Sequence, residues 1–486
     1  MKKDIKIIGS GFSALSAACY LAKNGHNVTV LEKNESIGGR ARQLKKEGFT
    51  FDMGPSWYWM PDVFDRFFAD FGKKTTDYYQ LIKLNPAYRV YYGINDFITI
   101  ADNLEEIISD FESIEKGSGS LLRDFIGEAK SNYDIAIKDL VYRPGVSPLE
   151  LITVETAKKV GQFFSNISKD VRKKFKSQRL IQILEFPVLF LGAKPSDTPS
   201  FYSFMNYADF GMGTWHPKTG MFDVVRAMES LALELGVTFK TNANVEKINV
   251  HNNKVKSLII NGQEIAADVV LSGADYHHTE TLLDQKHRAY SEEYWNSRVF
   301  APSSLLFYVG FDKKIKNISH HALFFDVDFN QHAKDIYDDP KWPEEPLFYA
   351  NFPSITDATA APEGMESGFF LVPLAPGIND TEELREQYFD KIIDRFELLT
   401  EQSVKKNIIF KSSFCKNDFV SEYNSYKGNA YGMANTLLQT AFLRPKLKSK
   451  KVENLYFTGQ LTVPGPGVPP ALISGKLVSE LIEKYS

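Results

Sequence analysis

The stretch DIKIIGSGFSALSAACYLAKNGHNVTVLEKN, Asp4 to Asn34, reads as strand, glycine turn, helix, turn and second strand. Ile5, Ile7 and Ile8 form a β-branched run suited to a buried strand. Gly9-x-Gly11-x-x-Ala14 then leads into a helix predicted to reach about Asn24, with Gly25 at its stop and NVTVLE as the next strand. Each position has a physical reason. Gly9 permits the tight turn, Gly11 removes a Cβ where backbone must approach a pyrophosphate, and small Ala14 lets the helix lie close on the strand. Ser10, Phe12 and Ser13 fill the turn and the helix start, where free N–H groups attract phosphate. Glu32 ends the second strand, eighteen residues past Ala14, where a carboxylate accepts both ribose hydroxyls; Lys33 follows it. Together they imply an adenine-dinucleotide site.

The 486 residues exceed one compact core, so two or three domains are expected. Hydrophobic residues make up 43% and charged residues 24%, a globular composition. A net charge of -4 supplies no field for nucleic acid, which is excluded as a partner. Two cysteines, Cys19 and Cys415, read as buried thiols of a reducing cytosol. MKKDIKII goes straight into a strand, unlike a signal peptide, and no window holds the ~18 apolar residues of a membrane span. The longest apolar runs, FPVLFLGA and GFFLVPLAPG, have the length of core strands. Aromatics at 13% suit either large cores or a long apolar ligand tunnel.

After Glu32 comes GGRARQ, with Gly38, Gly39, Arg40 and Ala41. A second glycine pair beside a forked cation suits a cofactor that crosses the domain and needs further cover for its phosphates. GFTFDMGPS, Gly48 to Ser56, follows and brings Gly54, Pro55 and Ser56. In this order the blocks resemble the flavin amine oxidase superfamily and, within it, the bacterial phytoene desaturases of carotenoid synthesis. TWHPKTGMFDVVRAMESLALELGVTFKTNANVEKI (Thr214–Ile248) and ADVVLSGADYHHTETLL (Ala267–Leu283) resemble that family's central segments. NLYFTGQLTVPGPGVPPALISGK (Asn454–Lys476) resembles its C-terminal flavin signature.

The resemblance implies FAD, held by these glycine blocks together with Lys33, Val245, Gly459, Gln460, Gly467, Val468 and Pro469. It also implies a carotenoid-like polyene substrate, the membrane surface as a partner, and quinone or oxygen as electron acceptor. The C-terminal loop precedes a helix with apolar residues at helical spacing, and prolines suit its first turn. In the family that helix start faces the flavin's pyrimidine edge, which makes the stiff loop a preorganised wall for negative charge on reduced flavin.

The expected class is α/β: a Rossmann-like FAD-binding domain, a mixed-sheet substrate domain and a helical membrane-associated subdomain. Residues 1–85, 217–290 and 420–486 would form the first, 86–110 and 291–419 the second, and 111–216 the third. Within the last, Ile167, Val171 and Phe175 share a helix face ringed by Lys169, Arg172, Lys173, Lys174, Lys176 and Arg179, a pattern suited to anionic lipid. A cytoplasmic protein held peripherally at the inner face of the cell membrane is expected. Arg444 to Lys451 reads as a second basic patch on a loop.

No Ser/His/Asp nucleophile motif occurs, and no Cys or carboxylate stands at zinc spacing from the histidine pairs 277–278 and 320–321, so no metal is expected. No side chain is identified as proton acceptor. Trp57 to Pro61 suits a tunnel lining or core packing equally. Beside phytoene desaturation stand later-stage desaturation of γ-carotene or hydroxycarotenoid ends, carotenoid isomerisation, and redox-free prenyl-lipid binding of the Rab GDP-dissociation inhibitor kind.

Overall fold

The computed structural model describes residues 2–486. The first strand, β1 (Asp4–Ile8), leads through Gly9 into α1 (Phe12–Lys23) and then β2 (Asn27–Leu31). Later segments complete this layer: α2 (Phe222–Glu234), β3 (Thr238–Lys240), β4 (Val269–Ser272), β5 (Leu455–Phe457) and α3 (Val468–Tyr485). The five strands form an all-parallel sheet in the order β5-β4-β1-β2-β3. β4 and β5 sit on one side of β1 and β2 on the other, so the strand order reverses beside the Gly9 turn. A doubly wound sheet binds its ligand at such a reversal.

Helices α1, α2 and α3 cover one face of the sheet, and an antiparallel meander of residues 245–266 covers the other. Helix α3 lies along α1 because Gly475 has no side chain: a Cβ there would meet the Ser13 carbonyl oxygen at 2.5 Å. Ser16 Oγ donates to the Leu472 carbonyl at 2.7 Å and ties the pair. Both helix starts therefore open toward the same side of the sheet.

A second, seven-stranded sheet runs 408–414, 303–311, 366–374, 348–351, 321–324, 88–93 and 96–100, antiparallel except between the fifth and sixth strands. Helix Glu382–Thr400 packs on one of its faces through Phe389, Ile392, Ile393 and Phe396. The other face looks into the molecule.

Several sequence expectations are corrected. FPVLFLGA is no strand: Phe186–Leu191 is a 3-10 turn continuing helix Gln178–Glu185 and stopped by Gly192 at φ 75°. The 110/111 boundary cuts helix Leu104–Ile114, whose Asn103 Oδ1 accepts from Glu106 N at 2.9 Å. The boundary at 216/217 cuts strand Trp215–Pro217, and that at 419/420 cuts helix Lys416–Tyr423. Ile167, Val171 and Phe175 are buried in the protein's own core, so this face is closed to lipid. Arg444 is no surface cation but is 2% exposed.

The helical region ends in a π-helical turn, Tyr207–Gly211. Here buried Asp209 accepts from Tyr88 Oη at 2.7 Å and Thr214 Oγ1 at 3.5 Å. Burial pushes its carboxyl up from 3.8 to about 7, against the pull of those two donors. Because the folded-state value is raised, the fold holds this proton more tightly than the unfolded chain does. The stability this supplies is complete below about pH 4 and is lost as pH climbs to about 7. In thermal and urea unfolding, Asp209→Asn is expected to match the wild type near pH 4 and exceed it by roughly 1–4 kcal/mol near pH 8. Equal stability at both pH values would contradict this reading.

Candidate functional site

The chain folds around one continuous cavity of ≈ 460 Å³ that starts at the Gly9 turn and runs beneath the seven-stranded sheet. At its first end Gly9 adopts φ +86°, and a Cβ there would meet Ala274 N at 3.3 Å. A Cβ on Gly11 would project into open space, where nothing lies within 4 Å. Gly39, at φ +56°, has room for a Cβ only 3.3 Å from the Gly11 Cα. The two glycine blocks thus close on each other and leave bare backbone along the cavity wall.

Glu32 is buried, and Ser10 holds it from backbone N at 3.1 Å and from Oγ at 2.5 Å, both to Oε2. Asn34 N donates to Oε1 at 2.9 Å. These donors pin the carboxylate at the rim of the cavity. Arg40 has the opposite charge and poorer company. Its side chain is half-buried, the buried Nε has no hydrogen-bond partner, and Nη2 reaches only Ser425 Oγ at 3.1 Å and the Asn429 carbonyl at 3.4 Å. The Gln460 amide, with its oxygen turned toward it, accepts at 3.0 and 3.3 Å. Among the described residues no carboxylate stands within ion-pair distance of Arg40. Burial lowers its hold on its proton, while Asp275 beyond ion-pair range opposes that.

A half-buried, incompletely satisfied cation facing glycine backbone at two helix starts is the environment a pyrophosphate fits. Of the residues marked from sequence, all line this cavity except Ala14 and Pro469. Ala14 is fully buried, its Cβ 2.8 Å from where a side chain on Gly273 would begin, which makes it the packing contact between α1 and the turn that follows β4. Pro469 belongs to the first turn of α3 and shapes it without lining the cavity. Within Trp57–Pro61 only Trp57 faces the cavity. Tyr58 bonds Tyr79 Oη at 2.7 Å and Trp59 Nε1 donates to Thr214 Oγ1 at 2.9 Å, both as packing.

The C-terminal loop closes the cavity near its middle. Gly459 N donates to Ser474 Oγ at 3.0 Å, and Thr462 Oγ1 donates to the Gly459 carbonyl at 2.8 Å. Arg444 braces it from behind, donating to the carbonyls of Gln460 at 3.1 Å and Met433 at 2.7 Å and to Asn435 Oδ1 at 2.5 Å. Burial brings the Arg444 guanidinium down to about 10. Arg444 escaped the sequence reading because RPKLKSKK offers five cations alike. Asp52 escaped it too: its oxygens accept from Met221 N at 2.6 Å and Phe222 N at 3.1 Å, capping α2 from a distant strand. The FTFDMGPS block carries it, but only the fold reveals which helix it caps.

Residues 12–482 match the flavin containing amine oxidoreductase family. The chain belongs to that family. Among relatives, the carotenoid 3,4-desaturase of Haloarcula japonica is 39% identical over 99% of this chain and 98% of its own length. The zeta-carotene-forming phytoene desaturase of Myxococcus xanthus is 30% identical, covering 100% and 94%. A solved oxidoreductase from Methanosarcina mazei superposes with TM-score 0.64 at 18% identity, over 99% of this chain and 100% of that one. Cyclohexylamine oxidase from Brevibacterium oxydans superposes with TM-score 0.58 at 14% identity, over 99% and 100%. These two structures share the fold. As a family member the chain is an oxidoreductase, and the adenine-dinucleotide cradle joined to flavin chemistry makes FAD its cofactor.

Among the described residues no cluster of His, Cys, Asp or Glu is arranged to hold a metal ion.

Proposed function

We propose that this protein is an FAD-dependent carotenoid desaturase. The observation that carries the reading is the undivided cavity. From the dinucleotide cradle it continues into a chamber walled by Phe186, Leu189, Leu306, Leu323, Phe325 and Phe329, an apolar lining for a long hydrocarbon. Full-length similarity to carotenoid desaturases supports it. Bound in this site, the flavin supplies the acceptor for a hydride. The chain's own part is to hold that cofactor through Arg40, Glu32 and the glycine backbone. It also keeps water from the chamber and presents the start of α3 to developing negative charge. Loss of a hydride next to conjugated double bonds leaves a delocalised allylic cation, so the neighbouring proton departs readily.

The relatives include a carotenoid 3,4-desaturase at 39% identity and a phytoene desaturase at 30%, so both end-group and phytoene-type reactions fit the similarity. Products separate the two kinds. Expressed in cells that make phytoene, the protein is expected to turn the extract from colourless to yellow or red if it is of the phytoene type. In cells that make an already coloured carotenoid, a further shift to longer wavelength marks end-group desaturation. No change with either precursor would contradict the reading. Oxygen or a membrane quinone is the proposed electron acceptor.

Contact with a membrane belongs to the same proposal, at a place other than the one expected. No helix among the described residues is long and apolar enough to cross a bilayer. The segment before the basic helix carries Leu149 (71% exposed), Val160 and Phe164 (79%), and the adjoining loop carries Leu438 (74%). Gly145 lies against Ala441 and brings these loops side by side. Lys169 and Lys173 of the basic helix, and Lys158 before it, are exposed and offer cations to anionic headgroups, while the proposed apolar anchor lies earlier in the chain than Ile167, Val171 and Phe175. Phe164→Glu with Leu438→Glu is expected to weaken partition onto anionic vesicles about tenfold or more, read by flotation, with flavin content unchanged. Wild-type flotation would contradict this placement.

A further inference from the structure

Behind the cavity wall lies a group of side chains that the functions described so far do not use. Tyr349 lines the cavity, and its Oη is 2.9 Å from Ser56 Oγ and 2.7 Å from His321 Nδ1. The His321 ring stacks on Trp57 at 4.1 Å with 10° between planes. His320 lies 4.5 Å from His321 and His216 lies 4.4 Å from His320, ring to ring. All three histidines are buried, and four ring nitrogens have no partner: both of His216, and Nε2 of His320 and of His321. An unpartnered buried nitrogen costs about 1–3 kcal/mol, so three histidines held this way need a reason beyond packing.

The hydrogen bonds fix which of Tyr349 and His321 donates to the other. Asn351 Nδ2 donates to the His320 carbonyl at 3.0 Å, which orients its amide, and its nitrogen also stands 3.3 Å from His321 Nδ1. That makes Nδ1 an acceptor and puts the ring proton on Nε2. Tyr349 therefore donates its hydroxyl proton to Nδ1; its oxygen accepts from Ser56 Oγ with one lone pair and keeps the other for a proton from the cavity side.

We infer that Tyr349, backed by His321, accepts the proton that leaves the polyene with each hydride. The inference rests on the desaturase reading. In this step the C–H bond beside the allylic cation breaks and its electron pair becomes the new C=C bond. The proton goes to Tyr349 Oη as the tyrosine's own proton passes to His321 Nδ1, while the hydride removed before it has gone to oxidised flavin. Tyrosine ends neutral and His321 ends as imidazolium, stacked on the electron-rich face of Trp57. His320 and His216 lie beyond His321, ring against ring and not hydrogen-bonded to one another, on the side of Asp223, the acidic group whose charge favours a proton on His216 and which is paired with exposed Arg226. Tyr349 is the group at the reacting atoms; His321 acts through it and positions it.

Burial holds His320 and His321 well below the ordinary imidazole range and brings His216 down to about 4. At neutral pH the three imidazoles are neutral, each with one ring nitrogen open to a proton. The groups facing them are Tyr349, Trp57, Asn351, Thr356 and, beyond His216, Asp223. The wild-type rate is therefore expected to be level through neutral and alkaline pH and to fall only in acid.

Anaerobic single-turnover mixing of FAD-loaded protein with polyene in vesicles tests the step. Tyr349→Phe is expected to slow product formation about 100-fold or more at unchanged polyene affinity, and His321→Asn comparably. Independently, ¹⁵N-histidine spectra of the wild type are expected to show His321 neutral and protonated at Nε2, with its Nδ1 signal moving in Tyr349→Phe. An active wild type whose Tyr349→Phe and His321→Asn variants run within about twofold of it overturns the inference and leaves the desaturase reading standing. So does an Nδ1-protonated His321. A flavin-loaded wild type inert toward every polyene overturns both.

Discussion

Replacing Arg40 with methionine is expected to raise the Kd for FAD about 100-fold or more, while the FAD-free protein stays as stable as the wild type or becomes more stable. The two effects have one cause. Arg40 is half-buried, with an unpartnered, buried Nε and only neutral acceptors at its terminal nitrogens. A partly buried cation without a counter-charge carries a desolvation cost, and an apolar side chain of similar length removes it. A phosphate would restore it through charge-assisted hydrogen bonds worth about 1.5–3 kcal/mol each, so their loss reaches ~3 kcal/mol, or about 100-fold. Flavin retention through gel filtration and a fluorescence titration read the affinity, and calorimetry of the stripped protein reads the stability. Wild-type affinity, or a stripped variant less stable than the stripped wild type, would mean that Arg40 serves the fold instead.

Gly475→Val is expected to reduce both stability and FAD binding, because this residue sets how closely α3 lies on α1. Its Cβ would fall 2.5 Å from the Ser13 carbonyl oxygen and 2.6 Å from Ser16 Cβ. Backbone and helix must move to admit it, a strain on the order of 3 kcal/mol. Ser16 would lose its bond to Leu472, and the two helix starts would part. Because Ser13 also lies 3.0 Å from where a Cβ on Gly459 would stand, the shift reaches the C-terminal loop directly. A variant that unfolds at lower urea but keeps wild-type FAD affinity would show that the helix pair does not set the cradle.

These two positions differ in how openly the sequence declares them. Arg40 stands between two glycines and alanine in a block of known spacing, so its neighbourhood could be read locally. Gly475 is one glycine in the middle of a helix stripe, and only the partner helix explains it. The same distinction runs through the whole chain. β1, α1, β2, β4, β5 and α3 are written in short-range patterns: β-branched runs, glycine turns and apolar spacing at helical period. Phe186–Leu191 has the hydrophobicity of a strand, yet the preceding helix and Gly192 set its conformation. The basic helix illustrates a limit of amphipathicity as evidence, since an apolar stripe at Ile167, Val171 and Phe175 does not say whether protein or lipid will cover it.

The proton path was the least legible part. Trp57, His216, His320, His321 and Tyr349 come from distant points of the chain. What joins His321 to Tyr349 is sheet register: strand 321–324 pairs with 348–351, so that Ala322 faces Ala350 and Leu323 faces Tyr349. His216 arrives through the short pairing of strands 81–83 and 215–217. No spacing rule in the sequence relates these residues. Arg444 was hidden for another reason, because a buried arginine and its exposed lysine neighbours look the same until the Gln460 and Met433 carbonyls are seen to need donors.

Both ends of the polypeptide build a single chamber, and the central claim is that flavin meets a hydrocarbon inside it. Anaerobic addition of a carotenoid precursor to the FAD-loaded protein in anionic vesicles tests this most directly. The visible flavin absorbance should bleach in step with formation of one longer-conjugated product per cofactor, and return when oxygen or quinone is admitted. Flavin that stays fully oxidised beside unchanged polyene, in protein shown to retain FAD, would contradict the claim.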